Sequence, residues 1–347
     1  MHFACSPRAL VAALSLAALA ATTTAVPAAA VKPGGPTTGT GTVFSINPVQ
    51  TTGNQNLADN KDADSPEFAS AYKNVALTNL DGTGHLDGAW VNVRGTTGDR
   101  AYSPTGVYNY NRSDDRFEQV MAYYWVTEAQ KYIQGLGFGS GELPAVNKES
   151  QDVRLNQYGI DNSYSWDKHD VIRLGKGGVD DAEDGEVIVH EYGHAVHDSQ
   201  VVGFGSSLDA GSIGEAFGDY LAVTVGLAVA GAPAAGVPAA CVADWDSVSY
   251  TSTVPHCLRR VDRDLTVSQR RGEVHFDGQI WSRALWDIRN ALGARAADRI
   301  IINAQFDFAP DTSFGDAADA TVATAQEMYG AVAATTVRQA FTDRGIS

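Results

Sequence analysis

The spacing of apolar and polar residues changes character several times along this chain. Ala9 to Ala21 is an almost unbroken apolar run behind one basic residue, Arg8. From about residue 43 to 112 a two-residue alternation takes over. It is clearest in Ala89-Trp90-Val91-Asn92-Val93, with turns marked by Gly82, Gly84 and Gly98. Alternation puts successive side chains on opposite faces, so this stretch predicts short strands. Asn79 to Gly84 resembles a Ca²⁺ loop but lacks a downstream bidentate Glu, so it reads as a hairpin turn. Asp114 and Asp115 then precede Phe117, Val120, Met121, Tyr124 and Ile133, a helical spacing that predicts a helix over 116–134. Residues 140–176 return to strand patterning, and helical spacing dominates from 184. The pattern predicts an α+β protein: a β-rich N-terminal lobe over 43–183, a mainly helical C-terminal lobe over 184–347, and no internal repeat.

The helix expected after Asp184 carries His190-Glu191-Tyr192-Gly193-His194, an H-E-x-x-H pattern. Two histidines four positions apart share one helix face, so both imidazoles can reach one Zn²⁺. Glu191 can reach a water on the metal without being a ligand. Asp184 can cap this helix and Glu186 suits its first turn. Val187-Ile188-Val189 and Gly193 give it poor intrinsic propensity, Gly193 alone costing up to ~1 kcal/mol relative to Ala, so burial must hold it. The competing reading is a core helix with satisfied histidines.

A catalytic zinc site needs a third ligand and an open position. Ile213, Ala216, Phe217, Tyr220 and Leu221 make an apolar stripe beside Glu215 and Asp219, an i, i+4 carboxylate pair. Carboxylates entering a core face are costly unless paired or metal-bound. Glu215 as third ligand and Asp219 as acceptor for a ligand imidazole N–H would account for both; the alternative is a solvated acidic face.

HEYGH followed by GEAFGDY resembles the thermolysin clan of zinc endopeptidases, the gluzincins, and within it the fungalysin-type secreted enzymes. The similarity extends to Asp161-Asn162-Ser163-Tyr164-Ser165-Trp166, to Gly177 through Asp184, and to Val274-His275-Phe276-Asp277-Gly278-Gln279-Ile280-Trp281. It implies a thermolysin-like two-lobed fold with the active-site helix between the lobes and a substrate cleft at their junction. It also implies zinc on His190, His194 and Glu215, Glu191 as general base, and His275 as donor to the oxyanion. Asn162 would bind the substrate backbone by strand addition. His275 is expected just before a helix running from Gly278 to Leu292. Three departures stand out. Only about a dozen residues separate the apolar leader from Gly41-Thr42-Val43-Phe44, where relatives carry a long inhibitory propeptide. Gln200 to Gly205 offers no tyrosine for the oxyanion. Gly214 stands where thermolysin has an asparagine.

Composition sets the surroundings. The leader with Ala28-Ala29-Ala30 reads as a secretory signal peptide over 1–30, too short for a membrane span, and a Pro/Gly/Thr-rich linker follows over 31–42. No later stretch reads as membrane-spanning. The chain has 25 Lys+Arg and 41 Asp+Glu; losing Arg8 leaves 24 against 41, a net charge of −17. That excludes nucleic-acid binding by electrostatics and suits solubility outside the cell; the expected partners are protein or peptide substrates, and the chain is expected to be a secreted monomer. Asp180, Asp181, Glu183 and Asp184 are the best candidates for a Ca²⁺ site, a solvated acidic loop being an equal reading. Cys241 and Cys257 suggest a disulfide closing about 15 residues and contributing ~3 kcal/mol; a second metal site with His256 is the alternative. Two other functions remain: a non-catalytic binding or adhesive module on the same fold, and an aminopeptidase, which lacks an acidic motif here for a substrate amine.

Overall fold

The structure, a computed structural model, describes residues 35–94, 98–156 and 161–347. The expected signal peptide, 1–30, lies outside the described residues, as do the first four residues of the expected linker. The rest of that linker is not free. Gly39–Phe44 form strand β1, so the N-terminal lobe starts earlier than residue 43. Its Gly/Thr composition resembles a linker, but pairing recruits it. β1 runs antiparallel to β2 (Tyr72–Leu77) and parallel to β4 (Val107–Tyr108). Between β1 and β2 lies the short helix α1 (Pro48–Thr52).

A second sheet has the order β3-β5-β7-β6, with β3 at Val91–Val93, β5 at Gln151–Arg154, β6 at Tyr164–Trp166 and β7 at Val171–Arg173. The first two pairings are parallel, and β6 pairs antiparallel with β7, Ser165 opposite Ile172. β6 is therefore an edge strand, and Asn162 lies just ahead of it. The long helix α2 (Arg116–Gly135) packs between the sheets and the helical half. Phe117, Val120, Met121 and Ile133 are buried on it as their spacing predicts, and Phe117 meets Phe44 edge to face with ring centroids 4.9 Å apart. The Asn79–Gly84 segment is a turn in which the Asp81 carboxylate accepts from the Thr83 backbone N–H and hydroxyl.

The C-terminal half is built from α3 (Gly185–Gln200), α4 (Leu208–Val229), α5 (Val274–Leu292), α6 (Ala294–Ala304), α7 (Phe314–Tyr329) and α8 (Ala331–Thr342). A two-stranded ribbon, β8 (Cys241–Val242) against β9 (Arg259–Arg260), interrupts the helices. The expectation of no span-like stretch needs correction: α4 is long and apolar enough to cross a membrane. It is nevertheless a core helix, since 78% of its most apolar window is buried within the protein. α5 also begins earlier than expected, at Val274. Trp281, Leu285 and Ile288 on it are buried, as predicted.

Candidate metal centre

Asp184 starts α3 as the sequence suggests: its carboxylate accepts from the Glu186 N–H at 2.9 Å. It also accepts from the Trp245 and Asp246 N–H groups and from Asn47. The β-branched entry to the helix is tolerated because Ile188 and Val189 are wholly buried. Gly193, costly by propensity, has a packing reason. A Cβ there would lie 2.9 Å from Gly218 Cα on α4, and a Cβ at Gly218 would lie 2.6 Å from His190 Nδ1. The two glycines let α3 and α4 approach closely enough to share one site.

That approach brings His190 and His194 of α3 against Glu215 of α4. Nε2 of His190 and Nε2 of His194 are 3.2 Å apart. His190 Nε2 is 3.3 Å from Glu215 Oε2, and His194 Nε2 is 3.6 Å from Glu215 Oε1. Tetrahedral donors about 2.0–2.1 Å from one Zn²⁺ stand roughly 3.3–3.4 Å from each other. The three groups match the corners of such a site, and Glu215 Oε2 is buried without a hydrogen-bond partner. The donor set, two imidazoles and a carboxylate with a side open to a cavity, fits zinc better than a hard cation, which prefers oxygen throughout.

Asp219, one turn beyond Glu215, faces His190 Nδ1 at 2.9 Å. With the proton on Nδ1, Nε2 is left free for an ion. Burial works against charge on His190, but Asp219 and Glu215 outweigh it and raise its pKa to about 10. Burial dominates at His194 and lowers it to about 4. Glu215 is buried yet held below its usual range by the close approach of His190 and by the charges of His194 and Arg259. Glu191 lines the same cavity with Oε2 unpartnered, and burial pushes its pKa up to about 7. A carboxylate that holds or releases a proton near neutrality is suited to be a general base.

The cavity, about 400 Å³, also receives His275, Asn162 and Arg259. His275 sits inside the first turn of α5, one turn earlier than expected, because Glu273 caps the helix through the His275 and Phe276 N–H groups. The same Glu273 contacts His275 Nδ1 at 2.6 Å and turns Nε2 toward the centre, 3.4 Å from Glu215 Oε2.

Residues 205–346 match the family model described as thermolysin metallopeptidase, alpha-helical domain. The precursor of protealysin, a metalloproteinase from Serratia proteamaculans, is a similar solved structure. It has 17% sequence identity and a TM-score of 0.54, the match covering 83% of this chain and 96% of that one. The fold is thermolysin-like. No curated protein matches the chain. The resemblance to the thermolysin-like gluzincins thus holds in its overall architecture, strands first and helices after.

Two residues of this centre were not evident from the sequence. Arg259, on β9, grips Asp219 with two hydrogen bonds of 2.7 Å and brings Nη2 within 3.8 Å of Glu215. Glu273 is the second. Neither lies in a helical pattern with the motif. Among the described residues two tyrosines line the cavity, Tyr164 and Tyr250, and the Tyr250 hydroxyl donates to Asp161 at 2.7 Å.

The acidic stretch before α3 fits neither expectation. It is buried rather than solvated, and its four carboxylates do not converge, because the 3₁₀ turn Asp181–Glu183 aims them apart. Asp180 pairs with Lys176, Glu183 with Arg112 and Trp245, Asp184 caps α3, and Asp181 accepts from Ser163. Cys241 and Cys257 are joined in a disulfide with Cα atoms 5.3 Å apart, so the second metal site built on free thiols is excluded.

Proposed function

We propose that this chain is a secreted, monomeric zinc endopeptidase that hydrolyses proteins or peptides. The observation that carries the reading is the convergence of His190, His194 and Glu215 at near-tetrahedral spacing beside the unpartnered carboxylate of Glu191. Zn²⁺ held by these three groups would supply Lewis acidity, polarising a peptide carbonyl and lowering the pKa of water toward about 7. Glu191 takes the proton of the attacking water and passes it to the leaving amine. His275, oriented by Glu273, donates through Nε2 to the carbonyl oxygen as it gains negative charge. Arg259 holds Asp219 in place, and Asp219 fixes the His190 tautomer. β6 is an edge strand among the described residues, with Asn162 just ahead of it, and would offer backbone groups on which an extended peptide adds as a further strand.

Casein or peptide cleavage by the purified, zinc-loaded chain tests this. Activity should vanish on chelation. Glu191→Gln should retain zinc and lose about 10²–10⁴-fold in rate, the usual contribution of a general base. Absence of cleavage by the metal-replete wild type overturns the proposal in favour of a binding module. Analysis of product ends decides between endopeptidase and aminopeptidase. A buried acidic group lining the cavity, Asp181 with Asp246, is the feature on which an aminopeptidase reading would rest.

A further inference from the structure

That acidic group carries the inference furthest. Asp181 and Asp246 line the same cavity as His190, Glu191 and Glu215. Asp181 is 2% and Asp246 3% exposed, and Oδ1 of each has no hydrogen-bond partner. Asp161 lies behind them, and the three carboxylates have oxygens within 4.8 Å of one another. Two buried carboxylates, each with an oxygen unpartnered, beside a half-buried third are expensive to keep without a cation to receive. Arg259 is a cation near the cavity, but it is committed to Asp219.

The same cavity is also lined by the aliphatic side chains of Val187, Val242, Ala243 and Leu258, alongside polar residues such as Tyr164 and Tyr250. Aliphatic walls ending in carboxylates match the methylene stem and charged head of Lys or Arg. A substrate α-amine has no stem for those walls. A divalent cation suits the cluster less well. It would want six or more oxygens, and hydroxyl donors already occupy Asp181, through Ser163, and Asp161, through Tyr250.

We propose that Asp181 and Asp246, backed by Asp161, form a specificity pocket that takes the ammonium or guanidinium of a basic residue beside the scissile bond. This rests on the peptidase reading of the neighbouring centre. The substrate class is then proteins with exposed Lys or Arg, and the chain's own acidity is no obstacle, because such substrates are drawn toward it.

Two measurements test the pocket separately from the chemistry. Cleavage-site profiling of a peptide library with the zinc-loaded wild type should show Lys or Arg enriched at one position flanking the cut. It should give the same result when peptide N-termini are acetylated. The ratio of kcat/KM for a Lys peptide over its Leu counterpart should fall at least about tenfold in Asp246→Asn. The second measurement needs no turnover: calorimetric binding of the same two peptides to Glu191→Gln, with and without Asp246→Asn. The Lys peptide should bind at least about tenfold tighter, and the second substitution should remove the difference. If no peptide is cut but this binding difference appears, the peptidase reading fails and the pocket stands. Equal preference for Lys and Leu in both measurements overturns the pocket. So does cleavage confined to unblocked N-termini. Ca²⁺ binding that raises the melting temperature and is lost in Asp246→Asn, without peptide discrimination, also overturns it and identifies a cation site.

Discussion

Asp219 shows how much one side chain can decide. It lies 2.9 Å from His190 Nδ1 and is itself clasped by Arg259, so Asp219→Ala frees the imidazole to rotate and strands a buried guanidinium. Zinc affinity is expected to fall about 10–100-fold, measured by competition with a chromophoric chelator. Arg112 makes the same point away from the cleft. It is buried, pairs with Glu183 at 2.8 Å and Asp59 at 2.6 Å, and stacks over Phe68 and Trp245. Arg112→Ala leaves Glu183 buried and unpaired, and should cost about 3–5 kcal/mol in denaturant unfolding. At this scale the sequence was readable wherever roles follow helical spacing: His190, Glu191, His194, Glu215 and Asp219. Arg259 and Glu273 were not, because their partners arrive through tertiary packing. Asp246 was also hidden. It meets Asp181 from 65 positions away and belongs to no periodic pattern.

Among the elements, the α3–α4 pair determines whether there is a site. Gly193 reads in the sequence as a weakness of its helix; in the structure it is the point where the two backbones come closest. Gly218→Ala forces a methyl onto the His190 ring and Gly193→Ala forces one onto the α4 backbone. Either should destabilise by about 1–3 kcal/mol in chemical denaturation, the usual cost of overpacking. Gly218→Ala should in addition weaken zinc binding, which titration calorimetry on the same protein can read. The start of α5 shows a boundary that spacing could not fix. Apolar periodicity marks the body of the helix from Gly278, whereas its first turn is set by the Glu273 cap, a local hydrogen-bond choice without periodicity. β1 is similar, since its Gly/Thr composition favours a linker until β2 and β4 supply partners.

Across the whole molecule, acidity is concentrated under α3. Burial is the main cause that raises Asp181 to about 7, Asp184 to about 6 and Asp244 to about 7, from an ordinary 3.8. A carboxyl whose folded pKa is raised lends stability below its unfolded pKa and loses it as pH rises through the folded value. Between pH 4 and 7 this belt therefore becomes a burden. In chelator-treated samples the wild type should melt lower at pH 8 than at pH 5. Asp244→Asn should raise the melting temperature at pH 8 and change it little at pH 5. The α+β architecture, strands first and helices after, was legible in the change from two-residue to helical periodicity, while the pairing of Asp181 with Asp246 in the cavity was not. The glycine contact between α3 and α4 bears on more than packing. Because the donor atoms are set at their spacing by helix against helix, they do not need an ion to assemble them, unlike a zinc finger that is unfolded without its metal. The centre should behave as a socket: stripped of its ion, the protein keeps its circular dichroism, and Co²⁺ added afterwards enters at once with a tetrahedral visible spectrum and no refolding phase.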